Sequence, residues 1–174
     1  MAKAWSIWVS GKDIGTLTRI PPRLLLNPLH FLSLGFGSGL APVAPGTLGT
    51  LVAVPLYLVI AQLTLSWYLL VLIFGFAVGV FLCQYTSNAL GVHDHSGIVW
   101  DEFVGYWITM IAVPPTWQWI VAGFVLFRVF DIVKPWPVKT ADAKMKGGFG
   151  IMIDDVLAGL YALACMHLAL QLAA

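Results

Sequence analysis

Charge is the scarcest resource in this chain, and its scarcity fixes the kind of fold available. Its 174 residues include nine Lys or Arg and eight Asp or Glu, or 10% charged residues. A soluble domain carries about a quarter, so these side chains cannot cover a water-facing surface. Hydrophobic residues make up 60% of the chain and the mean hydropathy is +0.90. Lipid is therefore the expected solvent for much of the surface. The formal net charge of +1 argues neither for nucleic acid nor for an acidic partner. Cys83 and Cys165 sit in separate apolar runs, which suits small apolar fillers better than a disulfide or a zinc site.

The expectation is an all-α integral membrane protein with about five transmembrane helices and an N-terminal interfacial or re-entrant segment. Residues 1–27 read as a cytoplasmic or interfacial arm with Trp5, Trp8 and the breaker pair Pro21-Pro22. Lys3, Lys12, Arg19 and Arg23 are scattered through it, unlike a cleavable signal peptide. Residues 28–174 read as one transmembrane catalytic domain. Within 28–45, Gly35, Gly37, Gly39, Pro42 and Pro45 interrupt an apolar run too short to span, as in a segment lining a cavity. Helices are expected at about 46–63, 67–87, 98–113, 117–133 and 150–173, the third and fourth being short for a span. Gly75 and Gly79 are spaced for close helix packing. Trp67, Tyr68, Trp117 and Trp119 fall where an aromatic belt would lie. Basic residues concentrate in the arm and in Lys134, Lys139, Lys144 and Lys146, with Arg128 nearby and none in loops 64–66 and 114–116. The positive-inside rule puts the arm and the 88–97 and 134–149 loops in the cytoplasm.

Apart from Asp13 and Asp142, the acidic residues are Asp94, Asp101, Glu102, Asp131, Asp154 and Asp155. On this topology all six gather at the cytoplasmic side. An acidic group in a membrane helix costs about 2.5–3.5 kcal/mol on insertion scales and points to function. Carboxylates facing one another repel, and a hard divalent cation such as Mg²⁺ removes both problems. Helix capping and dipole effects account for Asp101, Glu102, Asp154 and Asp155 one at a time, but not for Asp131 at a helix end. Arg128 and Lys134 are suited to phosphate, although Arg128 is equally placed to pair with Asp131 or with a carboxylate of another helix. Residues 35–50 add glycine N–H groups, Ser38 and Thr47 near a helix start, an arrangement that can cradle an anion or serve packing. His93 and His95 flank Asp94 and read as acid/base groups, metal ligands or solvated loop residues. His30 and His167 read as packing residues. No Cys stands at phosphatase spacing from an Arg and no D-x-D occurs. Metal-assisted attack by water is then the simplest chemistry.

Four segments together resemble the phosphatidylglycerophosphatase A family: FGSGLAPVAPGTLGT (36–50), HDHSGIVWDEFVGYWIT (93–109), FRVFDIVKPWPV (127–138) and GGFGIMIDDVLAG (147–159). The resemblance runs in order from about residue 27 to 160. It implies a bacterial inner-membrane, Mg²⁺-dependent enzyme that converts phosphatidylglycerophosphate to phosphatidylglycerol. It carries over to Asp101 and Glu102, to Arg128, Asp131 and Lys134, to Asp154 and Asp155, and to Ser38, Pro45, Gly46 and Thr47. Metal binding is expected at the five acidic residues and phosphate binding at Arg128, Lys134, Ser38 and Thr47. An ion-coupled carrier is the rival reading, but carriers place their sites near the midplane and often show two related halves. A phosphatidyltransferase using a CDP-lipid would need a D-G-x-x-A-R signature, which is absent.

Overall fold

A computed structural model describes residues 20–140 and 145–173. Lys3, Trp5, Trp8, Lys12, Asp13, Arg19, Asp142 and Lys144, and so most of the expected arm, lie outside the described residues. Among those described, the fold is helical with no strand. Its main helices are α1 (Pro28–Ser33), α2 (Pro45–Ile60), α3 (Leu65–Leu90), α4 (Trp100–Thr109), α5 (Trp117–Val133) and α6 (Gly147–Ala173).

Local chemistry sets the boundaries. Asn27 caps α1 by accepting from the Leu29 N–H at 2.9 Å, with Pro28 following, a favoured helix start. Gly91, at φ 68°, closes α3 in the left-handed conformation, a common helix ending. Between α1 and α2 the broken segment forms a tight 3₁₀ turn over Gly35–Leu40, with positive φ at Phe36 and Gly37.

The helix expected over 98–113 is shorter. α4 starts only after Val99, whose φ of −136° is not helical, and ends before Met110. Ala112 then takes a φ of 55° ahead of the Pro114-Pro115 pair, which disfavours helix. Ten residues rise about 15 Å, roughly half the thickness of a bilayer's hydrocarbon core. Other parts of the protein surround α4: every residue from Asp101 to Thr109 is buried.

Polar tips of aromatic side chains hold α4 in place. The Trp107 indole N–H donates to the Ala53 carbonyl of α2 at 3.1 Å, and the Tyr68 hydroxyl of α3 donates to the Trp107 carbonyl at 2.6 Å. The Trp100 indole donates to the Gly75 carbonyl at 3.0 Å. Gly79 lies against Met152 and Trp100, so Gly75 and Gly79 serve packing within the chain.

Against α6 the approach is closer still. A Cβ built on Gly159 would lie 2.5 Å from the Gly105 carbonyl oxygen, and one on Gly105 would lie 2.9 Å from the Asp155 carbonyl oxygen. Thr109 Oγ donates to the Gly105 carbonyl at 3.0 Å beside this contact. The two backbones therefore cross with no room for a side chain between them.

α3 and α6 are long and apolar enough to cross a bilayer, and α2 is a shorter apolar helix. Large apolar side chains such as Ile73, Phe74 and Leu168 are exposed on their flanks, and Trp67 and Trp117 are exposed at helix starts.

The crossing makes a direct prediction. Gly159→Val pushes a side chain into backbone that cannot yield, so it should cost about 1–3 kcal/mol or more. A clear fall in the thermal unfolding midpoint in detergent is expected, and an unchanged midpoint would contradict the crossing.

Candidate active site

The crossing of α4 and α6 brings two acidic pairs to one end of the molecule. Asp101 and Glu102 begin α4, while Asp154 and Asp155 lie in the early turns of α6. The end of α5 adds Arg128 and Asp131, with Lys134 just beyond. The start of α2 adds Ala44, Pro45 and Gly46, and the loop before α4 adds Asp94, Ser96 and Ile98. Together these residues line one cleft of about 240 Å³.

Asp101, Glu102 and Asp155 each offer a carboxylate oxygen within 4.8 Å of the other two. All three residues are buried, and Asp101 Oδ1, Glu102 Oε2 and Asp155 Oδ2 have no hydrogen-bond partner. Buried polar atoms without partners cost several kcal/mol, and like charges at this spacing add repulsion. A divalent cation placed among the three carboxylates would offset both costs. An all-carboxylate donor set suits a hard ion of the Mg²⁺ type, and neither His nor Cys lines the cleft.

Asp131 and Asp154 are matched by cations. Arg128 Nη1 lies 2.6 Å from Asp131 Oδ2 and 3.6 Å from Glu102 Oε1, so it serves both its own helix and α4. Lys134 Nζ lies 2.6 Å from Asp154 Oδ2. Lys134 is the residue that ends α5, at φ 45°, ψ 63°, with its N–H donating to the Phe130 carbonyl. That left-handed conformation is uncommon for a non-glycine residue and more so before a proline. Ala44, at φ 48° before Pro45, repeats the pattern elsewhere in the cleft lining. A larger residue at Gly46 would displace site side chains, because a Cβ there would fall on Glu102 Oε1 and lie 3.1 Å from both terminal nitrogens of Arg128.

Other expected residues lie elsewhere. Ser38 and Thr47 do not line the cleft; Ser38 Oγ donates to the Gly35 carbonyl at 2.8 Å within its own turn. His93 and His95 are also outside the lining. His95 Nδ1 accepts from the Gly97 N–H at 3.0 Å, and His93 Nε2 accepts from the Gly147 N–H at 2.7 Å. His30 bonds Thr86 at 3.0 Å, and His167 bonds the Ile111 carbonyl at 2.9 Å, both within the helix packing. Ser96 and Ile98 line the cleft without a distinctive sequence signal of their own.

A three-carboxylate cluster that could hold a metal ion, beside an arginine and a lysine, is the kind of site that enzymes acting on phosphate use. The family model described as Phosphatidylglycerophosphatase A matches residues 31–170, and the chain belongs to that family. It is 49% identical over 142 residues to phosphatidylglycerophosphatase A of Escherichia coli (strain K12), covering 81% of this chain and 83% of the relative. The Haemophilus influenzae phosphatidylglycerophosphatase A is 52% identical over 140 residues, covering 79% and 86%. A Bacteroides thetaiotaomicron protein with the provisional name phosphatidylinositol-3-phosphatase is 44% identical over 144 residues, covering 78% and 89%. No solved structure matches.

The pairing predicts unequal costs for removing the two cations. Arg128→Leu leaves buried Glu102 and half-buried Asp131 without their counter-charge and should cost about 3 kcal/mol. Lys134→Leu should cost less, because Lys134 is more exposed than Arg128, at 26% against 14% of the side chain. Comparison of the two unfolding midpoints checks the order.

Proposed function

We propose that this chain hydrolyses the terminal phosphate of phosphatidylglycerophosphate to give phosphatidylglycerol, with Mg²⁺ held by Asp101, Glu102 and Asp155. The observation that carries this reading is the set of buried carboxylate oxygens without partners, beside Arg128 and Lys134, in a member of this family. Bound Mg²⁺ would supply charge neutralisation at the phosphate and lower the proton affinity of water.

The chain's own groups supply the rest. Arg128 and Lys134 orient the phosphate oxygens and balance the charge that grows on them. Asp131 and Asp154 hold those two cations in place before substrate arrives. Asp94 is exposed and on the cleft wall, suited to moving a proton between water and the departing lipid alkoxide. A bond forms from water oxygen to phosphorus, the ester bond breaks, and the alkoxide takes up a proton. Ala44, Pro45 and Gly46 complete the cleft lining.

The setting we propose is the cytoplasmic face of a bacterial inner membrane, with the chain passing through the bilayer five times and α4 making its pass enclosed by protein. Lys134, Lys139 and Lys146 fall in the connection at the cleft end, while residues 61–64 and 110–116 at the opposite turns carry no basic residue. That asymmetry fits the positive-inside rule, and basic side chains there would gather an anionic lipid. A headgroup phosphate could then react while its acyl chains stay among the lipids.

Two experiments test this reading. Protein purified in detergent should release phosphate from phosphatidylglycerophosphate with Mg²⁺ and stop on addition of EDTA. Asp155→Ala should lower kcat about a thousandfold, the scale of several kcal/mol of lost transition-state stabilisation. Phosphatidylinositol 3-phosphate assayed in parallel measures how strictly the headgroup is chosen. Well-folded protein that releases no phosphate under any metal would end the proposal. For topology, a Lys139→Cys variant lacking Cys83 and Cys165 should react with an impermeant thiol reagent only from the cytoplasmic side.

A further inference from the structure

The start of α6 is held by side chains remote from it in sequence. The Gly147 N–H donates to His93 Nε2 at 2.7 Å, and the Gly148 N–H donates to Gln84 Oε1 at 2.8 Å. Gln84 Nε2 donates to Asn88 Oδ1 at 2.7 Å, which fixes the orientation of the Gln84 amide. The Ser87 hydroxyl lies 2.8 Å from both the Val92 and His93 carbonyls and so anchors the loop backbone beside the ring. Gly148 sits so close to α3 that a Cβ would fall on the Val80 carbonyl oxygen.

The first N–H groups of a helix have no partner inside it, and a residue just before the helix usually supplies one. Here the acceptors come from α3 and from the loop that carries Asp94. Asp154 and Asp155 follow about two turns into α6, so a shift at its start moves the site's carboxylates. Moreover, Asp94 is the next residue after His93, so the bond from Gly147 joins two walls of the cleft.

We propose that His93 is a positioning residue, whose Nε2 caps α6 and thereby fixes both Asp154 and Asp155 on the helix and Asp94 on the loop. His93 Nε2 is engaged by a backbone N–H, and the ring stands outside the cleft lining. The kinetic part of this inference rests on the phosphatase reading; the structural part does not.

Both parts are tested with His93→Ala and His93→Gln, the glutamine oxygen reaching about as far as Nε2. Hydrogen exchange of the 147–150 amides is measured in detergent, and phosphate release from phosphatidylglycerophosphate is measured across pH. In His93→Ala, exchange should quicken about five- to tenfold, the size of a lost cap. Its kcat should fall about ten- to a hundredfold with little change in KM, as for a misplaced catalytic group. His93→Gln should return both values to within about threefold of wild type and leave the pH profile unchanged. If His93→Gln is as slow as His93→Ala while exchange stays at the wild-type rate, the ring acts on the reaction directly and the proposal falls. Wild-type exchange and turnover in His93→Ala would overturn it equally. If wild-type protein releases no phosphate, the phosphatase reading fails by itself and the exchange measurements still decide the cap. Should His93→Ala not fold, Gln84→Leu, which removes the neighbouring acceptor, replaces it against His93→Gln with the same expected differences.

Discussion

The site depends on two helix backbones touching. Where α4 crosses α6, Gly105 and Gly159 leave no side chain between carbonyl oxygens and chain. That contact sets the separation of Asp101 and Glu102 from Asp154 and Asp155. Side chains of ordinary size at the crossing would hold the helices at the usual 8–10 Å between axes. The aromatic hydrogen bonds from Trp100, Trp107 and Tyr68 then fix α4 against α2 and α3. The crossing keeps its register because α4 cannot slide without breaking them.

With the distance set, electrostatics divides the acidic groups into two kinds. Asp131 and Asp154 are matched by Arg128 and Lys134 at 2.6 Å. Asp101, Glu102 and Asp155 instead converge, with carboxylate oxygens within 4.8 Å of one another, and Glu102 has a longer 3.6 Å contact to Arg128. Such an arrangement is unfavourable for the empty protein and favourable once a cation binds, a tension that functional sites commonly carry. The left-handed backbone at Lys134 and Ala44 is a smaller cost of the same kind, about 1–3 kcal/mol for each residue so held.

Much of this was legible in the sequence, for identifiable reasons. Helical character follows from long apolar runs, and α5 has the bounds expected from them, Trp117–Val133. The acidic cluster was visible because charge is so rare that every Asp and Glu stands out. The end of α4 was harder to read, since burial among other helices removes the need for a full-length apolar run. Arg128 takes both pairings that its position offered, Asp131 three residues on and Glu102 of another helix, whereas the reach of Lys134 to Asp154 crosses between helices and no spacing within one helix reveals it. Ser38 and Thr47 looked like anion ligands because glycine-rich segments often are, yet Ser38 is used within its own turn. Gln84 could have been noticed as a polar side chain inside an otherwise apolar helix, but its partner Gly148 lies 64 residues away.

The enclosure of α4 also has a consequence for how the sequence can drift. On the flanks of α3 and α6, exposed side chains such as Ile73, Phe74 and Leu168 meet no defined partner, so one large apolar residue can replace another with little effect. The nine positions Asp101–Thr109 have no such freedom, since each is buried and volume changes in a packed interior are felt even at the scale of a methylene. Two kinds of surroundings thus set two rates of change within one chain. The slowest-changing stretch should be α4, for reasons of space as much as of chemistry.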